Sequence, residues 1–181
     1  MSTTLIVPCL PETFTGLSLF GAEVLSVAAS LVTNYSSLVQ VSDRFTQPAV
    51  EVQNATFCNV TVTYTHPGQG DTIAVEAWLP PANAWNGRLQ AVGGAGWVAG
   101  RSPLTAIAMS GAASDGYATV TTDAGLRGAQ DSAVPWALLS PGNPDLYSLI
   151  NLASVSLDDE VSLQTTHSQE GLERCLANPL T

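Results

Sequence analysis

WNGRLQAVGGAGWVAG, Trp85 to Gly100, holds a short apolar strand, Arg88 to Gly93, that runs into Gly93-Gly94-Ala95-Gly96 and closes at a second small-residue turn, Ala99-Gly100. Three glycines in four residues strip side chains from the strand exit, so bare backbone N–H groups there can approach a ligand closely. A glycine-rich loop between a strand and a helix is what an acyl-transfer enzyme needs to stabilise an oxyanion. Read from these residues alone, a tight strand-to-helix turn that touches no ligand fits equally well, because short glycine patterns are weak signals.

The flanking sequence supplies the helix and the neighbouring strand. Ser102 is the expected N-cap, Pro103 the first helical residue, and Pro103 to Ala113 the helix, ended by Asp115-Gly116. Tyr117 to Thr122 is a strand, stopped by Asp123-Ala124-Gly125. Strand, helix and strand from Arg88 to Thr122 imply a parallel, right-handed crossover. Upstream, Val60, Val62 and Tyr64 alternate with Thr61, Thr63 and Thr65, and Ile73, Val75, Ala77 and Leu79 alternate again. With His66-Pro67-Gly68-Gln69-Gly70-Asp71 as the turn, Val60 to Leu79 is an expected hairpin. Val24 to Thr33 alternates as a half-buried strand, although its alanines leave a helix open. Downstream, Ala129 to Pro144 is an expected loop, and Asp145 to Val155 an expected helix with Leu146, Leu149, Ile150 and Ala153 on one face. The order is antiparallel strands, then strand-helix-strand-helix, an α/β arrangement.

Composition narrows the function classes. The chain has 181 residues, 45% of them hydrophobic and 11% charged, enough for one domain with a sizeable core and unlike a disordered chain. No apolar run approaches the roughly 18–20 residues of a membrane span. The five cationic residues are all arginine and face 15 carboxylates; a net charge of −10 argues against nucleic acid and anionic membrane partners. MSTTLIVPCL lacks a basic n-region and has too short an apolar stretch for a signal peptide. Cys9, Cys58 and Cys175 are an odd set, which leaves at least one unpaired. Asn34-Tyr35-Ser36, Asn54-Ala55-Thr56 and Asn59-Val60-Thr61 are glycosylation triplets, and three so close together favour a secreted protein.

FCNVTVTYTHPGQGDTIAVEAWLP (Phe57 to Pro80), WNGRLQAVGGAGWVAG, GYATVTTDAG (Gly116 to Gly125) and NLASVSLDD (Asn151 to Asp159) together resemble the tannase and feruloyl esterase family, secreted esterases of the α/β-hydrolase class. The resemblance spans roughly Cys9 to Asp159, and its order and spacing are specific at Phe57 to Pro80 and Trp85 to Gly100. It implies hydrolysis of phenolic acid esters, such as those of gallate and ferulate, by a Ser-Asp-His triad. It also implies that Gly93, Gly94, Ala95 and Gly96 form the oxyanion loop, and that Cys9 pairs with Cys58. A calcium site of the family would lie in a lid region beyond this sequence, so no cofactor is expected on this chain.

The chain also departs from the family's pattern. No Gly-x-Ser-x-Gly or Gly-Cys-Ser turn occurs in it. The expectation is therefore residues 1–159 as the N-terminal part of an esterase domain with an incomplete α/β-hydrolase sheet, and 160–181 as a divergent, disordered polar tail. A truncated, misassembled or alternatively spliced product would have this form. No catalytic residue is assigned, and the chain is expected to be inactive alone. The alternatives are a non-catalytic ligand-binding module, or a fragment that pairs with a separate C-terminal part. Without a nucleophile strand beside it, Arg88 to Gly93 would form an unpaired sheet edge and invite self-association.

His66 sits in a hairpin turn and His167 in the polar tail, and both read as solvated residues rather than general bases. Ser110 lies within a helix, not at a strand-to-helix elbow, and is a poor nucleophile candidate. Asp123 at the end of its strand reads first as turn chemistry, with contact to substrate as the alternative. Of Trp78, Trp85, Trp97 and Trp136, only Trp97 lies in the glycine loop, which makes it the candidate to touch an aromatic acyl group. There is no Cys/His ligand cluster and no calcium-loop motif, so no metal site is expected; Asp158-Asp159-Glu160 is more simply a solvated acidic cluster.

Overall fold

The computed structural model of the protein describes residues 8–44, 48–94, 97–126, 137–140, 143–145 and 148. The segments 1–7 and 149–181 lie outside the described residues, and so do His167, Cys175, Trp136 and nearly all of the expected helix after Asp145.

The strands are β1 (Glu23–Val39), β2 (Val50–Thr65), β3 (Ile73–Leu79), β4 (Leu89–Ala91) and β5 (Ala118–Thr122), with a short helix α1 (Val41–Arg44) and the longer helix α2 (Pro103–Ser114) between them. The five strands form one mixed sheet in the order β1-β2-β3-β5-β4. The hairpin expected at Val60 to Leu79 is present, with Val62 opposite Val75. β4 and β5 run parallel, and α2 is the crossover between them. The outcome is an α/β-type fold with few helices.

Several boundaries differ from the sequence expectation. β1 and β2 are much longer than the alternating cores that announce them, because two bulges let the pairing continue through an irregular register. Between the pairs Val32/Phe57 and Tyr35/Ala55 the surplus residue is on β1; between Tyr35/Ala55 and Ser37/Val52 it is on β2. Asn34 (φ 56°) and Asn54 (φ 53°) take the left-handed conformation there, which asparagine tolerates better than most residues. β4 is shorter than Arg88 to Gly93, although Val92 N–H still donates to Val120 O at 2.8 Å. The stretch Ala129 to Pro144, expected as a loop, contains a small antiparallel pair, β6 (Leu138–Ser140) with β7 (Asn143–Pro144). Pairing over so few residues leaves no periodicity to read.

The core forms where α2 lies on the sheet. Phe57 of β2 and Trp78 of β3 stack with ring centroids 4.3 Å apart, Tyr35 of β1 meets both edge-on, and Met109 of α2, 1% exposed, closes the cluster. Ser110, Gly111 and Ala112 are buried on the same helix, where small side chains permit close approach. The helix begins as its sequence dictates: Thr105 N–H donates to Ser102 Oγ, and Ser102 N–H donates back to Thr105 Oγ1. It ends in a Schellman turn, with Gly116 at φ 85°, Gly116 N–H on Ala113 O and Tyr117 N–H on Ala112 O. A side chain at position 116 would also collide with the Ala84 carbonyl.

A disulfide joins Cys9 to Cys58, with Cα atoms 5.5 Å apart, and ties the N-terminal segment to β2. Among the described residues no helix is long and apolar enough to cross a membrane.

Candidate functional site

The carboxyl ends of the parallel strands β4 and β5 lie side by side, and the loops that leave them pack together: Ala99 from the first is buried against Ala124 and Leu126 from the second. Ligands of open α/β sheets gather at such carboxyl ends. The glycine loop and Asp123, singled out from sequence, are therefore neighbours in space.

The glycine loop closes on itself. Gly94 N–H donates to Ala99 O at 2.6 Å, and a Cβ on Gly94 would run into the Val98 carbonyl. Gly100 is equally restricted, because a Cβ there would strike the Thr122 carbonyl and the Thr121 hydroxyl. These two glycines are thus demanded by close backbone approach. Ala95 and Gly96 lie outside the described residues. Trp97 is 60% exposed at the loop.

Behind the loop lies a charged network that the sequence reading did not identify. Arg101, the residue between Gly100 and the Ser102 cap, has φ 53°, and its N–H donates to Thr121 Oγ1 at 3.2 Å. Its Nε donates to Glu76 Oε2 at 3.2 Å, and its guanidinium lies 3.8 Å from Asp123 Oδ2. Glu76 Oε1 also accepts from Trp78 Nε1 at 2.8 Å and Asn59 Nδ2 at 3.1 Å. Asp123, 8% exposed, accepts at Oδ1 from the N–H groups of Ala74 and Gly125, both at 2.9 Å, so it fastens the start of β3 to the end of β5. The turn chemistry read for Asp123 describes this arrangement. The signal that could have revealed the network is Glu76, the one charge within the otherwise apolar IAVEAWL; a charge at a half-buried strand position needs a partner.

The remaining residues fall elsewhere. Ser110 is 1% exposed and its hydroxyl donates to Ile107 O at 2.7 Å inside α2, so it serves the helix. His66 Nδ1 lies 2.6 Å from Asp71 Oδ2 in the β2–β3 turn, with Asp71 N-terminal to β3 also accepting from His66 N–H. Trp85 Nε1 donates to Arg88 O at 2.9 Å, holding the approach to β4. Asn34 and Asn54 are exposed, whereas Asn59 is half-buried. Among the described residues no group of three or more His, Cys, Asp or Glu side chains is placed to hold a metal ion.

Comparison with known proteins finds relatives in sequence and in structure. The chain is 40% identical over 139 residues to a probable feruloyl esterase from Arthroderma benhamiae, a match that covers 77% of this chain and 24% of that protein. Its fold is similar to the solved structure of tannin acyl hydrolase from Aspergillus niger, with a TM-score of 0.60 and 27% identity over 82% of this chain and 26% of the other. No family model matches the chain. The chain spans about a quarter of the length of each of these relatives.

Proposed function

The chain fits the tannase and feruloyl esterase family over part of the length of its relatives, and on that premise we propose that it is the oxyanion-loop portion of a secreted carboxylic ester hydrolase acting on phenolic acid esters. The observation that carries this reading is the position of the glycine loop. It leaves the carboxyl end of a parallel strand and leads into a capped helix, with a second strand end beside it. Backbone N–H groups at such a point suit the negative oxygen that develops on an ester carbonyl in acyl transfer.

The division of labour follows from the residues. Glu76, Arg101 and Asp123 hold the loop in place, and exposed Trp97 presents an apolar ring that suits an aromatic acid. The sequence contains no Gly-x-Ser-x-Gly turn, so the attacking serine, the general base and the second oxyanion donor belong to polypeptide outside it. In this reading the sheet is an incomplete α/β-hydrolase sheet, and β4, at one edge of the five strands, is where the nucleophile strand adds. The same edge would otherwise favour self-association.

A second reading, a ligand-binding module without catalysis, is favoured by one specific observation. The Gly94 N–H is engaged by Ala99 O and so is not offered to an oxyanion in this conformation. Incubation with methyl ferulate and methyl gallate separates the two. The expected result is no turnover by the chain alone and turnover once a C-terminal esterase part bearing the nucleophile is added. Saturable binding with no turnover under either condition supports the module. Turnover by the chain alone would overturn the assignment of its residues.

A further inference from the structure

Three asparagines carry the glycosylation triplet, but the structure treats them differently. Asn59 is half-buried on β2 and its Nδ2, the atom a glycan would occupy, donates to Glu76 Oε1 at 3.1 Å. Its Oδ1 is buried, with no hydrogen-bond partner among the described residues. A sugar on this half-buried nitrogen would crowd Glu76, 3.1 Å away, and the face of the sheet on which α2 lies.

Asn34 and Asn54 are exposed, and so are the hydroxyl residues of their triplets, Ser36 and Thr56. Each sits at one of the paired bulges, with φ 56° and 53°, where the backbone leaves regular strand geometry. Their neighbour Tyr35 points into the aromatic cluster with Phe57 and Trp78. Asn34 and Ser36, on either side of it, are both exposed. β1 is the edge strand of the sheet, and Leu31 and Leu38, 62% and 61% exposed, flank Asn34 along it. Unpaired, apolar edges of this kind promote edge-to-edge pairing unless something covers them. The Cys9–Cys58 disulfide fits an oxidising, secretory route.

We propose that N-linked glycan is attached at the Asn34/Asn54 bulge and not at Asn59, and that it shields the apolar edge of β1. Attachment joins the asparagine Nδ2 to the anomeric carbon of an oligosaccharide carried on a lipid pyrophosphate. The carbon–oxygen bond to the pyrophosphate breaks, the pyrophosphate leaves with the electron pair, and the amide loses one proton. The assignment does not depend on esterase activity, so it survives or fails separately from the function above.

The test is secretion of the full chain from a yeast host behind a host secretion signal, followed by glycopeptide mass spectrometry of the wild type and the Asn34→Asp, Asn54→Asp and Asn59→Asp variants. Aspartate tolerates the left-handed conformation, so the first two variants keep the bulges. Glycan on Asn34, Asn54 or both, with Asn59 bare, is the expected outcome. The Asn34→Asp and Asn54→Asp variants should lose what those sites carry, and Asn59→Asp should lose none. Glycan on Asn59, or none at either bulge residue, would overturn the site assignment. Enzymatic removal of the glycan should then increase self-association measured by light scattering. An unchanged mass distribution would overturn the shielding role.

Discussion

Replacing Arg101 with alanine and, separately, with glycine tests both features that hold the glycine loop. The guanidinium bonds Glu76 Oε2 at 3.2 Å, with side chains 29% and 19% exposed, and lies at the looser distance of 3.8 Å from Asp123. A charge-assisted hydrogen bond contributes about 1.5–3 kcal/mol net. Partial exposure, and the further bonds that keep Glu76 held by Trp78 and Asn59, place Arg101→Ala near the low end, a loss of about 2 kcal/mol. Alanine keeps the cost of the left-handed backbone, roughly 1–2 kcal/mol for a residue with a Cβ. Glycine is free of it but surrenders about 0.5–1 kcal/mol through the greater freedom of its unfolded chain. The balance makes Arg101→Gly more stable than Arg101→Ala by about 0.5–1 kcal/mol, the reverse of the usual order. Urea titration followed by tryptophan fluorescence measures all three proteins, and the expected order is wild type, then glycine, then alanine. Alanine at or above glycine would refute the left-handed backbone at 101. Alanine equal to the wild type would show that the guanidinium contacts contribute nothing. A cycle of Arg101→Ala with Glu76→Gln should return a coupling of about 1 kcal/mol.

Other positions have definite expectations. Gly94→Ala drives a methyl into the Val98 carbonyl and should cost about 1–3 kcal/mol, seen as a lower melting temperature; an unchanged one would rule out this loop closure. Ser102→Ala removes the acceptor for Thr105 N–H and should cost about 1 kcal/mol in the same assay. Reduction of Cys9–Cys58 opens a loop with a sequence separation of 49, worth about 4 kcal/mol in the chain-entropy model. A thiol count on the denatured, unreduced chain should find one free thiol, and three would refute the bond.

The parts of the fold that were legible in the sequence are those encoded by near neighbours. Val/Thr alternation announced the β2–β3 hairpin, and Ser102-Pro103 with Gly116 marked both ends of α2, because caps and faces depend on residues a few positions apart. The glycine loop was legible for the same reason: three glycines in four residues leave a strand exit without side chains. Strand lengths were not, since β1 and β2 continue through bulges whose left-handed asparagines interrupt the alternation.

The sequence by itself determined the β2–β3 hairpin, the crossover helix with a strand on either side of it, and where backbone is bared. The tertiary structure alone decided that β5 inserts between β3 and β4 and runs antiparallel to β3. It alone brought Arg101 to Glu76, 25 positions away, and set Asp123 against Ala74, 49 positions away. Periodicity states which face of a strand is buried but not which strand lies beside it. The partners of Arg101 therefore appear only when the sheet is assembled, and with them the reason the glycine loop holds its shape.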